Sequence, residues 1–197
     1  MNSVTLQQSV RNESGVSLVE VAIAILILSI GAIGLASLQI TAKRAGFEAV
    51  QRTEATSLAT GIFERMRANS TVLDDYVTTG IGKAVRDLPA TPAPSCINDT
   101  SCTASQMAIW DLWEWERALN GETTSNSAGG LVRPTACISL DAIGGRLVTV
   151  EIAWEGFQEL ANDSAGIGCG TGSYDSAGGV TDGNRQLLRL VSYLGED

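Results

Sequence analysis

One carboxylate, Glu20, stands alone between Glu13 and Lys43, in a stretch where every other residue is uncharged and most are apolar. A charge in such surroundings is costly, and where it persists it is tied to a function and a named partner. Gly15 lies five residues earlier. Cleavage after that glycine would create an amine on Val16, one helical turn from the carboxylate. The other chemically capable side chains are four cysteines, Cys96, Cys102, Cys137 and Cys169, all beyond the apolar run. An even number confined to one side of that run points to disulfides in an oxidising compartment, and no pair has the CxxC spacing of a zinc site. Four cysteines allow three pairings. The pairing that closes a short loop, Cys96–Cys102, and a long one, Cys137–Cys169, is favoured, with the other two left open.

Enzymatic chemistry is not expected. The chain has no histidine, which removes Ser-His-Asp and Cys-His nucleophile pairs and the usual neutral-pH base. Lys43 and Lys83 are its only lysines. Asp163, Asp175 and Asp182 fit no standard calcium loop. The alternating Gly166, Gly168, Gly170 and Gly172 look superficially like a phosphate loop, but no amphipathic helix follows. No cofactor and no metal are therefore expected. The net charge is −9, and Arg11 offsets Glu13 within the first fifteen residues, so the acidity lies beyond them. Without a basic cluster, contact with nucleic acid is not predicted, and the acidity suits a soluble exported domain.

The elements that must position these residues begin with the apolar run. Val16 to Ile40 is 25 residues, roughly 37 Å as a helix at ~1.5 Å per residue, against a hydrocarbon core of ~30 Å. It can span with some tilt. A buried core helix would seldom stay uncharged on every face for so long. A secretory signal cut after Ala36 would carry a basic leader, and the apolar run continues past that point. A retained anchor, its leader of residues 1–15 removed on the cytoplasmic side, explains the order of glycine, apolar residues, glutamate and apolar run. Lys43 and Arg44 follow the span and only Arg11 precedes it, so a bare charge count would put the C-terminus in the cytoplasm. Cysteine usage and leader placement outweigh that count, and the C-terminal part is expected outside.

Residues 41–69 keep helical periodicity, with Leu58, Ile62 and Met66 at four-residue steps and Phe63 beside them. Val16 to Asn69 is thus predicted as one helix of roughly 80 Å, an assembly segment over 16–40 and an amphipathic half over 41–69. Gly31 and Gly34 suit close helix approach or simple tolerance within a membrane. Arg65 and Arg67 are expected to answer the helix dipole, with Asn69 ending the helix in a left-handed conformation.

Residues 70–197 are expected to form a head. A connecting region over 70–102 holds three of the four prolines. Thr103 and Gln106 then form a capping box opening a helix, on which Met107, Trp110 and Trp113 share a face expected to be core. A linker over 120–130 precedes strand-like runs at 131–140, 147–154 and 187–194, read as an antiparallel sheet over the amphipathic half of the long helix. Residues 156–184 read as a stapled surface loop that meets a partner. The fold class is α+β, a long helix under a small disulfide-stapled sheet.

Gly15-Val16-Ser17-Leu18-Val19-Glu20 resembles the processing site of type IV prepilins and pseudopilins. The resemblance implies cleavage after Gly15 by a prepilin peptidase, N-methylation of Val16, and Glu20 as the assembly glutamate. Val16 departs from the phenylalanine usual at that position. Ala55-Thr56-Ser57-Leu58-Ala59, Phe63-Glu64-Arg65-Met66-Arg67-Ala68-Asn69 and Trp110-Asp111-Leu112-Trp113-Glu114-Trp115 look like the corresponding parts of PilV-type minor pilins. By that resemblance the fold is type IV pilin-like, and the chain sits in the inner membrane, N-terminus cytoplasmic and head periplasmic, before reaching the pilus and cell surface. Its partners would be the other minor pilins and the major pilin. Its role would be to prime assembly from a tip complex, supporting piliation, twitching motility and adhesion. A minor pseudopilin of a type II secretion system shares the same N-terminus, and a membrane-anchored periplasmic binding domain is the reading from another class.

Overall fold

The computed structural model describes residues 15–84, 87, 89–97, 101–122, 130–141, 146–157 and 168–195. Apart from Gly15, the expected leader lies outside them, as do Asp163, Gly166 and residues 123–129 of the expected linker. The chain divides into two compact units, Met1–Lys43 and Arg44–Asp197.

In the first unit, helix α1 (Leu18–Ala68) begins two residues after Val16. Its apolar residues are exposed on every side, and the helix is long and apolar enough to cross a bilayer. Two hydroxyls in this unit turn back onto the helix: Ser29 Oγ donates to Ile25 O at 2.7 Å and Thr41 Oγ1 to Ser37 O at 3.2 Å. A side chain added at Gly31 or Gly34 would meet no other atom of the chain within 4 Å.

In the second unit, α1 presents Ala55, Ala59, Ile62, Phe63 and Met66 to a four-stranded sheet. Ala55, Ile62 and Met66 recur at seven- and four-residue steps, the spacing of one helical face. Ala55 and Ala59 are fully buried in that face. The strands, β1 (Thr78–Ile81), β2 (Thr135–Leu140), β3 (Leu147–Glu155) and β4 (Arg185–Tyr193), are antiparallel and lie in sequence order. Register places Ile138 opposite Val150 and Val150 opposite Leu190; Ala136, Ile152 and Leu188 form the next row. The period-2 alternation of these strands sends those residues to the helix side. Helix α2 (Ala104–Leu119) starts with the expected capping box, in which Thr103 Oγ1 accepts from Gln106 N at 3.2 Å and Thr103 N donates to Gln106 Oε1 at 2.9 Å.

The disulfides are Cys96–Cys102 and Cys137–Cys169. The second fastens residues 168–184 to the sheet face opposite α1. There the Tyr174 hydroxyl sits 2.8 Å from Arg133 O, 3.0 Å from Thr135 Oγ1 and 3.2 Å from Ala153 O. Gly170 is left-handed (φ 73°), and a Cβ there would lie 2.8 Å from the Tyr174 ring, so only glycine allows this approach.

Three local expectations are corrected. The region over 70–102 contains a 3-10 segment, Ser70–Tyr76, and the edge strand β1. Asn69 is not left-handed (φ −124°); its side chain instead donates to Ala104 O and Tyr76 Oη. The core face of α2 is not Met107, Trp110 and Trp113 but Ala108, Trp115 and Leu119, with Leu112 packed beside them. Trp110 is buried outside that core, against Trp113 with ring centroids 4.9 Å apart and the rings tilted by 45°.

Candidate functional site

Gly15, Val16 and Ser17 enter α1 in a non-helical conformation. Ser17 O then accepts from Glu20 N at 3.0 Å and Val21 N at 3.2 Å, forming the first turn. Glu20 is exposed in that turn, where the positive end of the helix dipole favours a carboxylate. Val16, Glu20, Val21, Ala24, Ile25 and Leu28 line one shallow depression on this unit. Val16 and the Glu20 carboxylate therefore share a face, with apolar side chains running on from them. Such a surface can receive a second apolar helix and offers it one carboxylate.

In the head, the arginines near the end of α1 do more than meet a dipole. Arg65 Nη1 lies 2.8 Å from Asp111 Oδ1 and 2.7 Å from Glu114 Oε2 on α2. Asp111, nearly buried, also accepts from the Tyr76 hydroxyl at 2.6 Å. Burial and that hydrogen bond push the Tyr76 phenol well above its ordinary range. Burial alone would lower the Arg65 pKa, but hydrogen bonds to Glu114 and Asp111 outweigh it and the shift is upward. Lower on α2, buried Glu116 accepts from Gly82 N at 2.8 Å, and Asn120 Oδ1 from Lys83 N at 3.2 Å. Trp115 Nε1 donates to Leu58 O at 3.0 Å. The tryptophan-rich segment thus joins α1 to the end of β1 and does not present a common aromatic surface.

The four cysteines all fall in the second unit, in two bridges distant in sequence from Glu20. In the loop, Asp182 accepts from Gly172 N at 2.8 Å and from Tyr174 N at 3.4 Å, and Asp175 Oδ1 accepts from Asp182 N at 3.1 Å. The buried Arg185 lies 3.9 Å from Asp182 and donates to Cys169 O. Glu151 accepts from Cys169 N at 3.0 Å. These carboxylates hold loop backbone against the sheet, a role that their wide sequence spacing conceals. Among the described residues no group of three or more His, Cys, Asp or Glu side chains is placed to hold a metal.

Two comparisons bear on this arrangement. A model of the prokaryotic N-terminal methylation motif matches residues 10–36, which contain Gly15, Val16 and Glu20. The type IV pilin Tt1218 model, Tt1218-like, matches residues 37–113, from the last turn of the apolar stretch to Trp113 of α2. No curated protein and no solved structure matches the chain. A long N-terminal helix, apolar in its first half and packed by its second half on a four-stranded antiparallel sheet with two disulfides, is consistent with the type IV pilin fold. The chain thus carries the prokaryotic N-terminal methylation motif, followed without a gap by a segment similar to the type IV pilin Tt1218.

Proposed function

We propose that this chain is a PilV-type minor pilin of the type IV pilus. A prepilin peptidase cuts after Gly15 and methylates Val16. The subunit then waits in the inner membrane, N-terminus cytoplasmic and head periplasmic, until it docks with the other minor pilins and the major pilin. In that role it primes assembly, forms part of the tip complex, and supports piliation, twitching motility and adhesion. Glu20 is the assembly residue, pairing with the terminal amine of an adjacent subunit. The two disulfides keep the head folded after export. No enzymatic step belongs to this role.

The observation that carries the reading is the coincidence of the methylation-motif match with the geometry of its residues. Val16 and Glu20 lie on one exposed face at the start of a helix whose apolar half is unburied. A carboxylate in such a position needs a cation from another molecule, because an unpaired charge in hydrocarbon is disfavoured.

Intact-mass analysis of the membrane-extracted protein tests the processing. The expected chain begins at Val16 with one added methyl group and retains the apolar span. Recovery with the first fifteen residues attached, or trimmed beyond Ala36, refutes it. Glu20→Ala is expected to leave processing largely intact and to lower incorporation into pili, scored by immunoblot of sheared fibres. Normal piliation with that variant as the sole copy would sink the assembly role. A gene deletion that lowers enzyme secretion while sparing surface pili would assign the chain instead to a type II secretion system.

A further inference from the structure

A strand at the end of a sheet carries a row of backbone groups with no strand beside them, and this sheet has two such ends, β1 and β4. The β1 end is blunted. It is four residues long, its register with β2 shifts between Thr78 and Ile81, and it shares a cavity with Pro89, Ala90 and Pro92. β4 has none of these defences. It runs nine residues without a proline, in unbroken register with β3.

Two bonds at the ends of the β3–β4 ladder fix which backbone groups of β4 face outward. Leu194 N donates to Arg146 O and Gly156 N to Asn184 O, each at 2.8 Å. Antiparallel bonding alternates, so the even-numbered residues of β4 bond β3 and the odd-numbered ones turn away. Leu187, Arg189, Val191 and Tyr193 therefore each aim one N–H and one C=O off the sheet. Among the described residues, none of these backbone groups has a hydrogen-bond partner. The edge is also open: the Arg189 side chain is 63% exposed, Val191 52% and Tyr193 68%.

A regular row of N–H and C=O groups is matched by another extended chain, which fixes the kind of occupant. The same four residues put their side chains on the sheet face away from α1, where Leu147 stands opposite Tyr193 and is itself exposed. An added strand would meet apolar surface at Tyr193 and Val191 and a guanidinium at Arg189. Glu151 lies 3.5 Å from the Arg189 Nε, and a guanidinium with five donors can take a second carboxylate. The edge strands of a second copy of this chain have no acid to offer there, since neither β4 nor β1 contains aspartate or glutamate.

We propose that the outer edge of β4 receives an extended segment of a different protein, antiparallel like every other pair in this sheet, with a carboxylate opposite Arg189 and apolar side chains opposite Val191 and Tyr193. Main-chain bonds hold the segment, and the alternate side chains select it. All of these residues lie in the second unit, so neither the cleavage at Gly15 nor the apolar stem enters into the contact.

The test uses the full chain in mild detergent and a fluorescein-labelled peptide, Val-Thr-Val-Thr-Glu-Thr-Val, laid opposite Tyr193 back to Leu187, with binding read by anisotropy. N-methylation of the peptide at its valines and glutamate, whose amides face β4, is expected to abolish binding. N-methylation at its threonines, whose amides face away, is expected to leave it. A lysine in place of the glutamate should weaken binding about tenfold, and Arg189→Glu should reverse that preference. Val191→Pro removes an outward N–H and no bond to β3, so the chain should keep its far-UV circular dichroism and bind the peptide about tenfold more weakly. No binding up to millimolar peptide, binding that ignores which amides are methylated, equal affinity for the two peptides, or unchanged binding by a folded Val191→Pro chain would each overturn the proposal. So would a dimer in sedimentation that Val191→Pro abolishes, which would give the edge to a second copy. Should Val191→Pro fail to fold, the methylation pattern on the unaltered chain still decides.

Discussion

Asp111→Ala removes the acceptor at the centre of the contact between α1 and α2. Asp111 is 6% exposed and receives Arg65 at 2.8 Å and the Tyr76 hydroxyl at 2.6 Å. Losing it strands a buried phenolic donor, which costs about 1–3 kcal/mol. Arg65 keeps Glu114 at 2.7 Å and its side chain is 40% exposed, so the lost ion pair adds under ~1 kcal/mol. The expected destabilisation is about 1–4 kcal/mol, or roughly 3–12 °C in Tm for a domain of this size. Urea unfolding of the full chain in detergent, followed by tryptophan fluorescence, measures it directly, because Trp110, Trp113 and Trp115 surround the substitution in sequence. In the Tyr76→Phe background the stranded donor is absent, so the same substitution should cost under ~1 kcal/mol, a coupling of about 1–3 kcal/mol. Equal costs in the two backgrounds, or less than ~0.5 kcal/mol in the native one, would refute the reasoning.

Other outcomes follow from the same structure. Removing the Cys137–Cys169 bridge, which spans 32 residues, should cost about 3.7 kcal/mol by loop entropy, against about 2.2 kcal/mol for Cys96–Cys102, which spans 6. Paired serine variants compared by urea midpoint check the order, and an inverted order would mean that the loop-length argument fails here. Burial pushes the Tyr174 phenol up to about 12, whereas an unfolded tyrosine ionises near ~10. A raised folded pKa gives stability that is whole below the unfolded value and lost as pH rises through the folded one. The urea midpoint should therefore hold from pH 8 to about 10 and fall between about 10 and 12, more steeply than in Tyr174→Phe.

The parts of the fold legible in the sequence were those with a regular period. Leu147 to Trp154 and Leu187 to Leu194 are dense in β-formers, and β3 and β4 lie there within two residues at either end. The capping box at Thr103 declared the start of α2 because its two hydrogen bonds are local. Strand β1 was hidden because Thr78-Thr79-Gly80-Ile81 is only four residues long, contains a glycine, and is held by pairing with Ala136 and Ile138 far away in sequence. The face of α2 was misread for a different reason. Hydrophobic spacing favours Met107, Trp110 and Trp113, whereas the buried side includes Asp111 and Glu116, whose partners Arg65, Tyr76 and Gly82 come from other elements. Periodicity cannot weigh a buried charge whose counterpart is tens of residues distant. The N-terminal residues were readable because their signal is compositional: a lone acid, a glycine five residues earlier, and an apolar run.

The hydroxyls that fold back onto α1 have a bearing on the proposed passage from bilayer to fibre. Ser29 spends its proton on Ile25 O, and Thr41 spends its own on Ser37 O, four residues back in each case. Neither needs lipid, water or a neighbouring subunit to complete it. Those two side chains can change their surroundings without exchanging polar partners, whereas on the proposed route extraction from the membrane would oblige Glu20, the one charge between Val16 and Ile40, to find a new counterion.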